Sequence, residues 1–156
     1  MFAWLENTAL AIWVGESLWG YPLMLGLHVV GLAIVVGIFS MLDLRLLGAF
    51  PGMQFSVFGT LIRFAWIGFA VNLLSGLALF TSQATTFVES KPFLIKVTAI
   101  IIAMGCAWLI QGRVARDGAG WDASESAPTG SIRAVAVVSL VLWLTAICAG
   151  RLIAYL

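Results

Sequence analysis

Charge is what this 156-residue sequence has least of: eight Lys and Arg with seven Asp and Glu make up 10% of it, and there is one His. A soluble domain carries about 25% charged residues, so an ordinary water-soluble globule is excluded. The formal net charge of +1 provides no basic face for a nucleic acid, and no such partner is expected. Cysteine is scarce too. Cys106 and Cys148 both lie in apolar runs, where a free thiol behaves as a small hydrophobe, and no CxxC, zinc-type spacing or disulfide framework exists. Without GxSxG, Walker A or HExxH patterns, hydrolase and nucleotide-dependent readings have no support. The opening Met1 to Glu6 lacks the basic n-region of a signal peptide and reads as mature sequence.

What the chain has is apolar surface: 62% of residues are hydrophobic and the mean hydropathy is +1.09. A membrane-crossing helix needs about 20 mostly apolar residues. Four stretches qualify, at 18–41, 60–80, 92–110 and 132–154. The expected fold is an all-α integral membrane four-helix bundle, one membrane domain over 1–156 in contact with the lipid bilayer. Residues 2–15 are too short to span; Trp4 and Trp13 suit the headgroup level, so a short N-terminal interfacial helix is expected there. The connection 112–131, with Gly118, Gly120, Asp122 and Pro128, reads as a flexible loop.

Basic residues set the topology. The loops after the first and third spans share a side that holds Arg45, Arg63, Arg113, Arg116 and Arg133, while the other side has Lys91, with Lys96 and Arg151 just inside the membrane. By the positive-inside rule the loop 112–131 is cytoplasmic and both termini are outside, as in a multi-pass protein of a bacterial inner membrane. Asp43 and Arg45, at the cytoplasmic end of the first span, are expected to clamp that helix end, paired with each other or with Arg63 and Arg133. Ala33 and Gly37 on the first span, and Gly68, Asn72 and Gly76 on the second, give small-residue ridges that suit close packing within the bundle or a homodimer seam.

An ionisable side chain inside a span costs about 2.5–3.5 kcal/mol on insertion scales and is a functional candidate by default. On the expected limits His28 lies about 15 Å below the outer end of its span, Asn72 about 12 Å, and Lys96 and Arg151 about 6 Å, so all four share the outer half of the bilayer. A neutral imidazole at that depth suits an axial ligand of haem iron, and cofactors in helical bundles are held by residues on facing helices. His28 is the expected metal ligand. Lys96 is a second ligand or propionate partner, Arg151 a propionate partner, and Asn72 a donor behind the imidazole. With one His, bis-His ligation within the chain is excluded. The plainer use of the same residues is structural, with His28 bonded to a neighbouring backbone or Asn and the two cations snorkelling to headgroups.

Leu27-His28-Val29-Val30-Gly31 followed by Asp43-Leu44-Arg45-Leu46-Leu47-Gly48, with Trp19 and Pro22 upstream, resembles an uncharacterised family of small four-helix bacterial integral membrane proteins. More distantly, Leu27-His28, Arg45 and Phe93-Leu94-Ile95-Lys96 are similar to features of the HemJ-type protoporphyrinogen oxidases and the CopD-like copper-resistance membrane proteins. The HemJ-type resemblance implies bound haem b, with His28 and Lys96 as the essential pair, and a redox or porphyrin-handling role. The chain departs from that pattern in having Asp43 where the HemJ-type segment has Pro. The CopD-like resemblance implies copper handling, although Met24, Met41, Met53 and Met104 are scattered rather than clustered as soft copper prefers. A cofactor-free accessory subunit of a larger membrane complex, or a homo-oligomer, is the alternative from a different class.

Overall fold

The computed structural model describes residues 2–124, 127–153 and 155. Among these the chain is entirely helical between its turns. Two short helices, α1 (Ala3–Glu6) and α2 (Ala9–Glu16), precede the long α3 (Gly20–Leu47). A 3-10 turn at Phe55–Val57 enters α4 (Phe58–Ser82), the short α5 (Ala84–Glu89) bridges to α6 (Lys91–Asp122), and α7 (Gly130–Leu152) closes the bundle. Four helices, one extended by the 3-10 turn, are long and apolar enough to cross a membrane. The N-terminal region is thus two helices where one was expected. Thr8 causes the break: its hydroxyl accepts from Ala11 N–H at 3.3 Å, capping α2.

The four long helices pack as two close pairs, α3 with α4 and α6 with α7, joined where α3 meets α7. Glycine makes the first pair close. A Cβ at Gly31 would come within 2.7 Å of Asn72 N and Gly68 O, and one at Gly68 within 2.7 Å of Ile34 Cγ2. Here the two backbones touch. Of the expected ridges, Gly68, Asn72 and Gly76 do face α3, but Ala33 and Gly37 are exposed and nothing lies near Gly37; Gly31 takes the role expected of them.

At the end holding the α3–α4 turn, Leu42, Leu46, Phe58, Ile110, Val114 and Ala136 form one apolar cluster. Gly48, at φ +95°, ends α3, with Ala49 N–H returning to Leu44 O at 3.0 Å. Arg133 donates to Leu47 O at 3.2 Å, and Arg45 donates to Met53 O while its guanidinium lies 4.3 Å from the Phe55 ring centroid. Asp122 accepts from Phe55 N–H and Ser56 N–H, at 2.8 and 3.2 Å. That contact requires α6 to run on to Asp122, well past the expected end at 110. The expected loop 112–131 is therefore helical over its first half, and its residues 125 and 126 lie outside the described ones, as does 154 in the fourth span. Ile110, Val114, Gly118 and Trp121 recur at helical spacing and are buried, Trp121 edge-on to Phe55 at 5.2 Å, which is the amphipathic reason for the extension.

Asp43 does not clamp the helix end. The one ion pair among the described residues is Arg113 with Asp117, at 3.7 Å. Asp43 points into the bundle and is 1% exposed.

Candidate functional site

The close approach of α3 and α4 places the His28 ring over Gly76, where a Cβ would meet ring Cε1 at 2.9 Å and Nδ1 at 3.1 Å. His28 Nδ1 lies 2.9 Å from the Asn72 main-chain oxygen. A carbonyl oxygen can only accept, so Nδ1 carries the proton and donates it there. The Asn72 amide donates to the His28 main-chain oxygen at 2.8 Å, which closes a reciprocal pair between the helices. Ser75, buried on the same face, donates to Val71 O at 2.6 Å with its oxygen 3.4 Å from Nδ1.

With the proton on Nδ1, Nε2 presents a lone pair. Lys96 Nζ lies 3.3 Å from it and is its donor. The lysine stem is backed by Gly150 of α7, whose absent Cβ would stand 3.4 Å from Lys96 Cδ and 3.6 Å from Nζ. No carboxylate pairs with Lys96 among the described residues. His28 and Lys96 are each partly buried, and their contact ties the α3–α4 pair to the α6–α7 pair.

One turn outward on both sides stand phenylalanines. Phe80 is four residues beyond Gly76 and Phe93 three before Lys96; their rings stack at 5.5 Å and 16°. Phe87 of α5 stacks on both, at 6.3 and 5.4 Å, and Phe2 meets Phe80 edge-on at 6.3 Å. The N-terminal segment is fastened to this roof by Glu6, whose carboxylate accepts from Thr85 N–H at 2.8 Å and Thr85 Oγ1 at 2.6 Å. Those two bonds, the hydroxyl first, hold the Glu6 carboxyl below its ordinary range.

Of the four residues singled out in the sequence, His28, Asn72 and Lys96 come together. Arg151 does not join them: it is exposed, bonded to the Tyr155 hydroxyl at 3.2 Å with its guanidinium 5.5 Å from that ring. Ser75 and the phenylalanine roof escaped sequence reasoning. The spacing of Gly76 to Phe80 and of Phe93 to Lys96 was the available signal, since residues three and four apart share a helix face. Among the described residues no three His, Cys, Asp or Glu side chains group as a metal site, and both cysteines are free. Comparison with known protein families, characterised proteins and solved structures finds no match to this chain.

Proposed function

We propose that the chain is a haem-b-binding membrane protein with a redox or porphyrin-handling role, and that His28 holds the iron through Nε2. The tautomer supports this reading. A metal-ligating imidazole normally donates its other ring N–H to a carbonyl or carboxylate, which fixes the ring and frees the remaining nitrogen, and His28 has that arrangement through Asn72 O. Lys96 is the nearest further nitrogen, as second ligand or as a cation for a propionate. Arg151, at the same end of the bundle, is the second propionate cation in this reading. Asn72 and Ser75 orient the imidazole, and the phenylalanine roof excludes water from it. When bound, haem b supplies one-electron chemistry.

The surrounding assignment follows the same reading. The Arg-bearing end is cytoplasmic, the Glu6 and Lys91 end is outside, and the membrane is a bacterial inner membrane.

The deciding experiment is the absorption spectrum of the detergent-solubilised protein with and without dithionite. The expected result is a Soret band that shifts on reduction, is lost in His28→Ala and moves in Lys96→Met. A colourless protein after expression with haem supply, or a band unchanged by His28→Ala, overturns the proposal.

A second reading, a cofactor-free subunit of a membrane complex or a homo-oligomer, is favoured by one observation: His28 and Lys96 already satisfy each other across the bundle. In that case the pair is an interhelical clamp, and His28→Ala lowers the melting temperature of a protein that is colourless from the start.

A further inference from the structure

The seam between α3 and α7 contains polar groups that the site around His28 does not use. The two helices run antiparallel, and their residues match in steps: Phe39 stacks on Trp143 at 6.2 Å and 2°, Ser139 faces the Asp43 carboxyl, and Arg133 reaches Leu47 O. Asp43 and Ser139 are each 1% exposed and Trp143 2%. Asp43 Oδ2, Ser139 Oγ and Trp143 Nε1 are buried with no hydrogen-bond partner among the described residues. Buried polar atoms are almost always partnered, by protein or by ordered water.

We propose that Asp43, Ser139 and Trp143 form an internal water site, in which one water molecule accepts from the Trp143 indole, donates to Asp43 Oδ2 and exchanges a hydrogen bond with Ser139. The set contains an N–H donor, an acceptor oxygen and a hydroxyl able to do either, which are the partners a water needs. Ser139 neighbours the carboxyl, yet its Oγ and Asp43 Oδ2 each lack a partner within hydrogen-bond reach, the situation that a bridging water fits. A metal cation fits worse. The indole N–H repels it, and among the described residues no three His, Cys, Asp or Glu side chains gather there.

Among the described residues no cation pairs with Asp43. Arg45 is engaged by Met53 and Phe55, and Arg133 by Leu47. From α6 the neighbouring ionisable side chain is the Cys106 thiol. The apolar layers of Val35 and Ala103 on one side and of Leu46 and Ile110 on the other close the seam. The site is separate from the imidazole, since fifteen residues of α3 divide His28 from Asp43, about 22 Å along the axis.

The test is nuclear magnetic resonance of the full chain in micelles with indole-15N tryptophan, the Trp143 signal being assigned by its loss in Trp143→Phe. The expected spectrum has a Trp143 indole cross-peak at the water frequency that weakens but persists in Ser139→Ala, where the water keeps the indole and the carboxylate as its two partners, and an indole proton that shifts in Asp43→Asn. The other indole signals report that each variant is folded. Absence of the water cross-peak in the unsubstituted protein overturns the proposal. So does its loss in Ser139→Ala, which makes the serine hydroxyl itself the source, or an indole resonance indifferent to Asp43→Asn.

Discussion

His28 Nε2 and Lys96 Nζ stand 3.3 Å apart, and each side chain rests on a glycine of the next helix, Gly76 under the ring and Gly150 under the lysine stem. The contact depends on the missing Cβ of Gly76 as much as on the polar groups. A methyl group at Gly76 occupies space the ring now uses, whereas one at Gly150 would meet the lysine stem at ordinary van der Waals distance, so Gly76 is the positional requirement of the pair.

Gly76→Ala tests this directly. Its Cβ would press on His28 Cε1 at 2.9 Å, forcing the ring off the Asn72 carbonyl. Residues that orient a metal-bound His are worth about 10–100-fold in metal affinity, and if His28 holds haem as proposed, a loss of that size is expected for haem retained by Gly76→Ala. Haem titration followed at the Soret band measures it. Unchanged affinity would show that the orientation of the ring over Gly76 is irrelevant to the cofactor.

The α3–α4 seam gives a paired prediction. Gly31→Ala drives a Cβ into the Asn72 and Gly68 backbone, whereas Gly37→Ala meets nothing within 4 Å. Overpacking costs about 1–3 kcal/mol, so Gly31→Ala is expected to lower the melting temperature in detergent. Gly37→Ala is expected to be neutral or slightly stabilising, because alanine is the better helix former. Equal effects of the two would contradict the seam.

The four spans were legible because their apolar runs are long enough to cross a bilayer, and His28, Asn72 and Lys96 were legible because polar groups are costly there. Rotation about the helix axis was not legible. Asp43 and Arg45 are two residues apart, about 200° around a helix, so near the end of α3 one faces the core while the other reaches Met53. Linear proximity suggested a common clamp. The same difficulty put Ala33 and Gly37 in the seam in place of Gly31. The extension of α6 was hidden by Gly112, Gly118 and Gly120, which read as loop; their helix is held by Trp121 and Asp122 against Phe55, contacts from a distant part of the sequence.

Asp122 caps the entry to α4 from 67 residues away. Replacing a capping acid by alanine costs about 0.5–2 kcal/mol. Asp122→Ala is expected to lower stability within that range and to speed amide exchange at Phe55 and Ser56. Hydrogen exchange with peptide-level mass spectrometry reads both; protection unchanged at those amides refutes the cap.

The Glu6 latch predicts a pH dependence of definite sign. Thr85 holds the Glu6 carboxyl below its ordinary value of 4.5, so the latch contributes fully above that value and is lost as pH falls through the lowered one. Limited proteolysis of α1 is therefore expected to accelerate below pH 4.5, and Thr85→Val to accelerate it at neutral pH. An α1 equally resistant in Thr85→Val at neutral pH argues that the latch contributes nothing.

The phenylalanine roof predicts a difference between the chain's two lysines, Lys91 and Lys96. Lys91 is exposed beside the roof, while Lys96 lies beneath it, bonded to His28. A charged, water-soluble amine reagent is expected to modify Lys91 readily and Lys96 slowly, as peptide mapping can show, with Lys91 as internal control for reagent and detergent. Phe87 is the ring that touches both Phe80 and Phe93, so Phe87→Ala opens the roof without removing a residue from the pair. It is expected to raise the rate at Lys96 several-fold and leave Lys91 unchanged. Equal rates at the two lysines in the unsubstituted protein would mean that water already reaches the pair, and that the aromatic stack serves only to pack α5 against its neighbours.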